Sequence, residues 1–337
     1  VNQRCFFVSC RQTIARATFF AEDNLHKSAE VDERSFGVRV LSRLSKEFAI
    51  VAQIQEVRMP LRLPSDCRIA VSLGVDFDAH SVWPGSFGIK TPAYLSRGEF
   101  GAEVGAPRLL KLFKKHDIRT TWFTPTHTME TFPASFESVM EHGHEIGAHG
   151  CLHERIGSLE ESAERALLER QIALHEKIVG KRPRGYRSPS WDFSDHTLAL
   201  LEEFEFEWDS SLMGRDFEPY RPRPVELRDE GGSVFGAPSR VLEIPVSWAL
   251  DDFPAFEYVP RMNAGLSSNE VVYQRWKDHF DYAYREIDAG VLTVAVHPQS
   301  IGRAPNIMML ERFITYMKSH PGVWFAPLSD IAEAWHD

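Results

Sequence analysis

Four short segments carry residue types and spacings suited to hydrolytic chemistry. GVDFDA sets Asp76 and Asp78 two apart, HGCLH sets His149 and His153 four apart, YRSPSW holds Arg187, and AVHP holds His297. Side chains alternate along a strand, so Asp76 and Asp78 point the same way. Two carboxylates that close repel unless a cation offsets one of them. One aspartate with two histidines makes three protein ligands and leaves a position for water, as in a catalytic rather than a structural zinc-type site. The other aspartate is then free to act as general base. A helical turn beginning at Gly150 would bring His149 and His153 to one face through their i, i+4 spacing. His297 suits the protonation of a leaving nitrogen. Arg187 can hold Asp76 ionised and correctly turned through a charge-assisted hydrogen bond. Asp209 stands either as the group that orients His297 or as an ordinary turn residue before two serines. Trp83, Trp191 and Trp248 are candidates for a substrate-binding wall, although core packing is the commoner role of a tryptophan taken singly.

These residues need elements to bring them together. From residue 67 onward short apolar runs alternate with amphipathic stretches of helical period. RIAVSLGVDFD, RTTWFTP, HEIGAH, RGYRSP, FEWDSS, RVLEIPVSW, GVLTVAVHP and VWFAP read as strands, with helices between most of them. The longest early helix is expected over 158–180, opened by the capping pattern S-L-E-E and closed by Gly180. Repeated βα units imply parallel strands wrapped by helices. Seven or eight of them in one series favour a closed parallel (β/α) barrel over an open doubly wound sheet, and no GxGxxG follows the first strand. In such a barrel the C-terminal rim carries the site. Asp76, Asp78, His149, Arg187, Asp209 and His297 all fall where a strand leaves toward that rim. His142 and His144 fall at the opposite rim and read as structural. Two long connections, 79–105 and 213–239, leave the catalytic rim and are expected to fold over it as lids.

Composition limits the partners. A formal net charge of −10 argues against nucleic acid and anionic membrane surfaces. The four cysteines form no CxxC pair and are too few for a disulfide framework. No apolar run approaches the ~18 residues that a membrane span needs. A cytoplasmic enzyme is expected. Residues 1–58 show no βα rhythm and no motif, and are expected to be a non-catalytic extension ahead of a barrel over 59–337.

Taken together, the four motifs resemble those of the polysaccharide deacetylase family, whose members hydrolyse N-acetyl groups with a divalent metal. GVDFDA resembles the paired-aspartate motif, with Asp76 as base and Asp78 as metal ligand. HGCLH resembles the metal-histidine motif, YRSPSW the arginine motif and AVHP the final histidine motif. In the extracellular deacetylases the two aspartates are adjacent, whereas here Phe77 intervenes. SRGEFGAEVGAPRLLKLFKKH, DSSLMGRDFEPY and EIPVSWALDD are similar instead to the intracellular branch, with its peptidoglycan-deacetylase-like proteins, cyclic imidases and allantoinases. The resemblance implies a barrel, one divalent ion (zinc first, with cobalt, nickel, manganese or iron as alternatives) and a homo-oligomer, often a tetramer. It leaves two substrate classes open: N-acetyl sugars, and small cyclic imides or ureides. The competing readings are an inactive carbohydrate-binding barrel, against which every catalytic position is filled, and a metal-dependent isomerase, which would want more carboxylates and a lysine at the rim.

Overall fold

In the computed structural model, residues 61–336 are described; the extension expected over 1–58 lies outside the described residues. Strand β1 (Ile69–Asp76) is buried along both faces, with Ile69, Val71, Leu73 and Val75 on one and Ala70, Ser72, Gly74 and Asp76 on the other. A parallel strand covered by helices on one side and barrel interior on the other requires this. On one edge β1 pairs with β9 (Gly290–Val296), in register from Ile69–Gly290 to Val75–Val296. On its other edge it meets β2 (Thr121–Thr124) near its C-terminal end and β10 (Val323–Phe325) near its start. The ladder continues in parallel through β3 (Glu145–Ala148), β4 (Gly185–Tyr186) and β5 (Trp208–Asp209) to the last strand, Leu242–Glu243. A short exposed hairpin, β6 (Val225–Glu226) and β7 (Val234–Phe235), precedes that last strand, which is therefore β8.

The expected parallel α/β barrel is thus present, but its ladder stays open at one seam, between β8 and β9. There the segment after β5 fills in. Tyr220 bridges antiparallel to Glu243 of β8, and the Val291 amide of β9 donates to the Phe217 carbonyl at 2.8 Å. Toward the C-terminal rim the seam is spanned by a single parallel bridge, Asp251 to Ala295.

Helices pack around the strands over a core that includes Leu109, Phe113, Trp276, Phe280 and Phe313, all fully buried. Burying such side chains contributes ~1.5–3 kcal/mol each. The long helix runs over Glu161–Val179 and ends at Gly180 in the left-handed conformation, as expected. Its capping pattern does not form, because the Ser158 hydroxyl donates back to the Arg155 carbonyl instead. Segment 79–105 is not an irregular loop. Helix Val82–Gly85 is followed by helix Pro92–Phe100, which continues through a π-turn into helix Ala106–Lys115. Gly98 and Gly105 make this packing feasible, since a Cβ on either would lie within 2.5 Å of Ala79 or Pro298 backbone atoms. No helix among the described residues is long and apolar enough to cross a membrane.

Candidate active site

Asp78 sits two residues beyond the end of β1, and His149 immediately beyond β3. Both are buried, as is His153. The stretch from His149 to Arg155 is not helical, so the four-residue spacing works by other means. Gly150 (φ 70°) and His153 (φ 57°) both adopt the left-handed conformation and fold the segment back on itself. The Glu154 carboxylate fixes the turn by accepting from the Cys151 and Leu152 amides at 3.0 and 2.8 Å. The imidazoles end up nearly perpendicular, with centroids 4.9 Å apart. His149 Nε2 and His153 Nε2 lie 3.4 and 3.7 Å from Asp78 Oδ1.

The outer atoms of this trio are already occupied. His149 Nδ1 lies 2.7 Å from the Arg187 carbonyl oxygen, and His153 Nδ1 lies 2.5 Å from Ser86 Oγ. Each ring is therefore oriented through Nδ1 and presents Nε2 inward, as the second shell of a metal site does. Asp78 Oδ1 and His149 Nε2 are buried with no hydrogen-bond partner. Burying such atoms unpaired is costly, and a cation among them would relieve that cost. Burial alone would raise the Asp78 carboxyl, yet His153, His149 and His297 around it hold it down to about 2. Burial pushes His153 down to about 4 despite the nearby Asp78 carboxylate. An anionic carboxylate and a neutral imidazole are the ligand forms a divalent cation requires.

Asp76 stands beside the trio, fixed from below by Arg187, whose Nη1 donates to Asp76 Oδ1 at 2.6 Å. Arg187 is fully buried and held along its length. Nε donates to the Ser210 carbonyl, Nη2 to the Ser210 hydroxyl, and the guanidinium lies 4.0 Å over the Phe123 ring. His297, directly after β9, closes the site with Nε2 3.8 Å from Asp76 Oδ2 and 3.7 Å from Asp78 Oδ2.

Asp209 does not orient His297. It lies at the end of β5, accepts from Ser211 Oγ at 2.9 Å, and pairs with Glu243. Burial pushes both carboxyls up, Asp209 to about 6 and Glu243 further, because Asp209 adds its own charge to the burial of Glu243. The partner of His297 is Asp252, whose Oδ1 lies 2.7 Å from Nδ1 and also accepts from the His297 amide at 2.9 Å. Asp251 stands 3.5 Å from the same ring nitrogen. Burial opposes a charge on His297, but the carboxylates of Asp251 and Asp252 outweigh it and hold the imidazole well above its usual range. Sequence reasoning assigned neither aspartate a role. The available signal was a double aspartate, ALDD, shortly after a strand exit.

A cavity of about 330 Å³ opens over these residues, and Val82, Phe87, Trp191, Trp248, Phe253 and Met262 form most of its apolar lining. Trp191 and Trp248 stack at 4.3 Å within that lining. Trp83 is not on the wall. It is fully buried one layer behind, against Phe87, Tyr94 and Phe253. Nor does segment 213–239 line this cavity, since it is used at the β8–β9 seam; the covering side chains come from 82–87, 190–191 and 248–263.

A parallel barrel that gathers its buried titratable side chains at the C-terminal rim, under an apolar cavity, is built as an enzyme. The sequence profile of the polysaccharide deacetylase family matches residues 99–208. A peptidoglycan deacetylase of Helicobacter pylori is 37% identical over 279 residues, covering 79% of this chain and 95% of that protein. A solved Mycobacterium smegmatis structure assigned as a polysaccharide deacetylase is 33% identical, with a TM-score of 0.71 over 82% of this chain and 93% of that one. The PuuE allantoinase structure is 26% identical, with a TM-score of 0.69 over 84% of this chain and 94% of that one. The chain belongs to the polysaccharide deacetylase family and is a hydrolase of C–N bonds.

Proposed function

We propose that the protein is a divalent-metal-dependent deacetylase that cleaves the amide of an N-acetyl group on a small or short substrate. The observation that carries this reading is the convergence of Asp78 Oδ1, His149 Nε2 and His153 Nε2, which all lie within 4.8 Å of one another while the outer ring nitrogens are engaged elsewhere. These three residues would hold the ion. Zinc suits the donor set first, and cobalt, nickel, manganese or iron are compatible with it. Bound there, the cation supplies Lewis acidity to the attacking water and to the acyl oxygen.

The chain's own residues do the rest. Asp76, held by Arg187, is placed to take a proton from the attacking water. His297, held by Asp252 and carrying a proton, is placed to hand it to the departing nitrogen through Nε2. The aromatic wall excludes bulk water, which strengthens both interactions. A cavity of about 330 Å³ lies at the small end of ligand pockets and suits a compact substrate better than a polymer laid across the site. The likeness to an allantoinase and the flat aromatic wall favour a second reading, hydrolysis of a cyclic imide or ureide by the same residues.

The test is metal content and turnover together. Protein stripped with a chelator and reloaded is assayed on N-acetyl sugars, cyclic imides and ureides. Asp78→Ala, His149→Ala and His153→Ala are expected to lose both metal and turnover while the circular dichroism of the barrel stays unchanged. Stoichiometric metal in a His149→Ala, His153→Ala double variant would refute the ligand assignment.

A further inference from the structure

Among the polar side chains that line the catalytic cavity, one keeps an oxygen to which no hydrogen bond runs from the described residues. Beyond the ligand trio, Asp76 and His297, the polar groups lining it are Ser190, Asn263 and Asp251. Two of these are engaged within the protein. The Asn263 amide nitrogen donates to the Phe253 and Glu257 carbonyls at 3.2 and 2.7 Å. Ser190 Oγ lies 3.2 Å from Ser86 Oγ. Asp251 differs. Its Oδ1 accepts from the Phe253 amide at 2.8 Å and lies 3.5 Å from His297 Nδ1, and no hydrogen bond among the described residues uses Oδ2. Asp252, next in sequence, already serves the His297 ring, so Asp251 is not needed to orient it. Position and surroundings are also selective. Asp251 is buried, its backbone bridges to Ala295 two residues before His297, and the neighbouring wall is apolar: Trp248, Phe253, Pro254 and Met262.

We propose that Asp251 is a specificity-determining residue, whose free carboxyl oxygen forms a hydrogen bond with an N–H or O–H group that the substrate carries near its scissile nitrogen. Where the substrate lies rests on the function proposed above: the leaving nitrogen meets His297 Nε2, so the part of the substrate beyond it runs past the imidazole toward Asp251. Burial pushes the Asp251 carboxyl up to about 8, so in an otherwise apolar wall it reads one polar group. An analogue lacking that group leaves the oxygen buried and unpaired, which costs about 1–3 kcal/mol, or roughly five- to 150-fold in affinity. The donor can belong to a sugar hydroxyl or to the second nitrogen of a ureide ring.

The test compares ligands with and without that group: N-acetylglucosamine with its 3-deoxy analogue, and hydantoin with 1-methylhydantoin. Binding to the chelator-treated full chain is read from quenching of tryptophan fluorescence, since Trp191 and Trp248 line the cavity. No turnover is required, so failure of the metal reading would show as inactive reloaded enzyme with this binding ratio intact. The wild type is expected to favour the donor-bearing member of one pair by about tenfold or more, and the pair that shows it distinguishes sugar from ureide. Asp251→Ala is expected to bring that ratio to within about twofold of unity by weakening only the donor-bearing ligand. Asp251→Asn keeps the backbone contact to Phe253 and turns an amide donor into the cavity, so it is expected to abolish the preference without altering the fold. A preference that survives both substitutions, or a wild type indifferent within both pairs, would overturn the assignment.

Discussion

Replacing Gly74 by alanine should impair catalysis from a position that touches neither metal ligand nor substrate. Gly74 shares the inward face of β1 with Asp76, and the Arg187 guanidinium passes directly over it. A Cβ there would lie 2.9 Å from Nη1 and 3.3 Å from Nη2, whereas ordinary contact begins near 3.4 Å. The end of an arginine is normally free to yield. This one is pinned by Asp76, by the carbonyl and hydroxyl of Ser210, and by the face of Phe123. Retreat by about half an ångström must therefore lengthen the 2.6 Å bond to Asp76 or those to Ser210. Two effects compete. Removing a glycine from the unfolded chain favours folding by ~0.4–1 kcal/mol, while overpacking a filled interior costs ~1–3 kcal/mol. The second wins, so we expect a net loss of ~1–2 kcal/mol in urea unfolding. Turnover should fall about ten- to a hundredfold, the worth of a small misplacement of a reacting group. Bound metal should be unchanged, because Asp78, His149 and His153 do not contact Gly74. Wild-type turnover with unaltered stability would refute the reasoning, and so would loss of the metal.

Three other substitutions test the remaining parts. Asp76→Asn should keep the metal and slow turnover ~10²- to 10⁴-fold, the usual worth of a general base; metal loss here, with retention in Asp78→Asn, would exchange the two roles. Asp252→Asn removes one of the two carboxylates that hold His297 above its usual range. Its proton should leave at lower pH, and the alkaline limb of the kcat profile should move down; an unmoved limb would exclude His297 as the acid. Glu243→Gln should flatten the pH dependence of stability. In the folded protein Glu243 is held above its ordinary value by burial and by Asp209, so the native state binds more protons than the unfolded one and stability falls as pH rises above the ordinary glutamate range. Urea midpoints across that window should converge in the variant, whose amide oxygen can still accept from the Ser211 and Leu212 amides.

Much of the site was readable as sequence because its residues end apolar runs. A charged side chain where a buried strand stops has one rim to occupy, and Asp76, Asp78, His149, Arg187 and His297 all meet there. What escaped lies off the strands. The spacing of His149 and His153 suggested a helix, yet a left-handed Gly150 and a left-handed His153 achieve the same convergence, and no period announces such a turn. Asp251 and Asp252 follow a strand as adjacent residues. Nothing in their spacing says that one will serve an imidazole from a distant strand while the other faces the cavity. Trp83 and Trp248 are alike in composition, and only packing places the first in the core and the second on the wall. Segment 213–239 has the length and polarity of a lid. Its use at the seam depends on the ladder failing to close, which no local pattern records.

That seam has a consequence for how the enzyme can change. Strands β9, β1, β2, β3 and β4 share one continuous ladder, and they carry Asp76, Asp78, His149, Arg187 and His297 at or just beyond their C-terminal ends. Across the gap, the chain leaving β8 supplies Trp248 and Phe253 to the aromatic wall, bridges Asp251 to Ala295, and reaches the His297 ring through Asp252. Seam bridging, the orientation of His297, the proposed acid, and part of the pocket wall thus draw on one stretch of chain. On the proposed mechanism, variation that reshapes this wall for a new substrate also disturbs His297, so substrate range and catalytic rate are coupled on this side of the site. The trio proposed to hold the metal, Asp78, His149 and His153, follows β1 and β3 instead and lies apart from that segment in the chain.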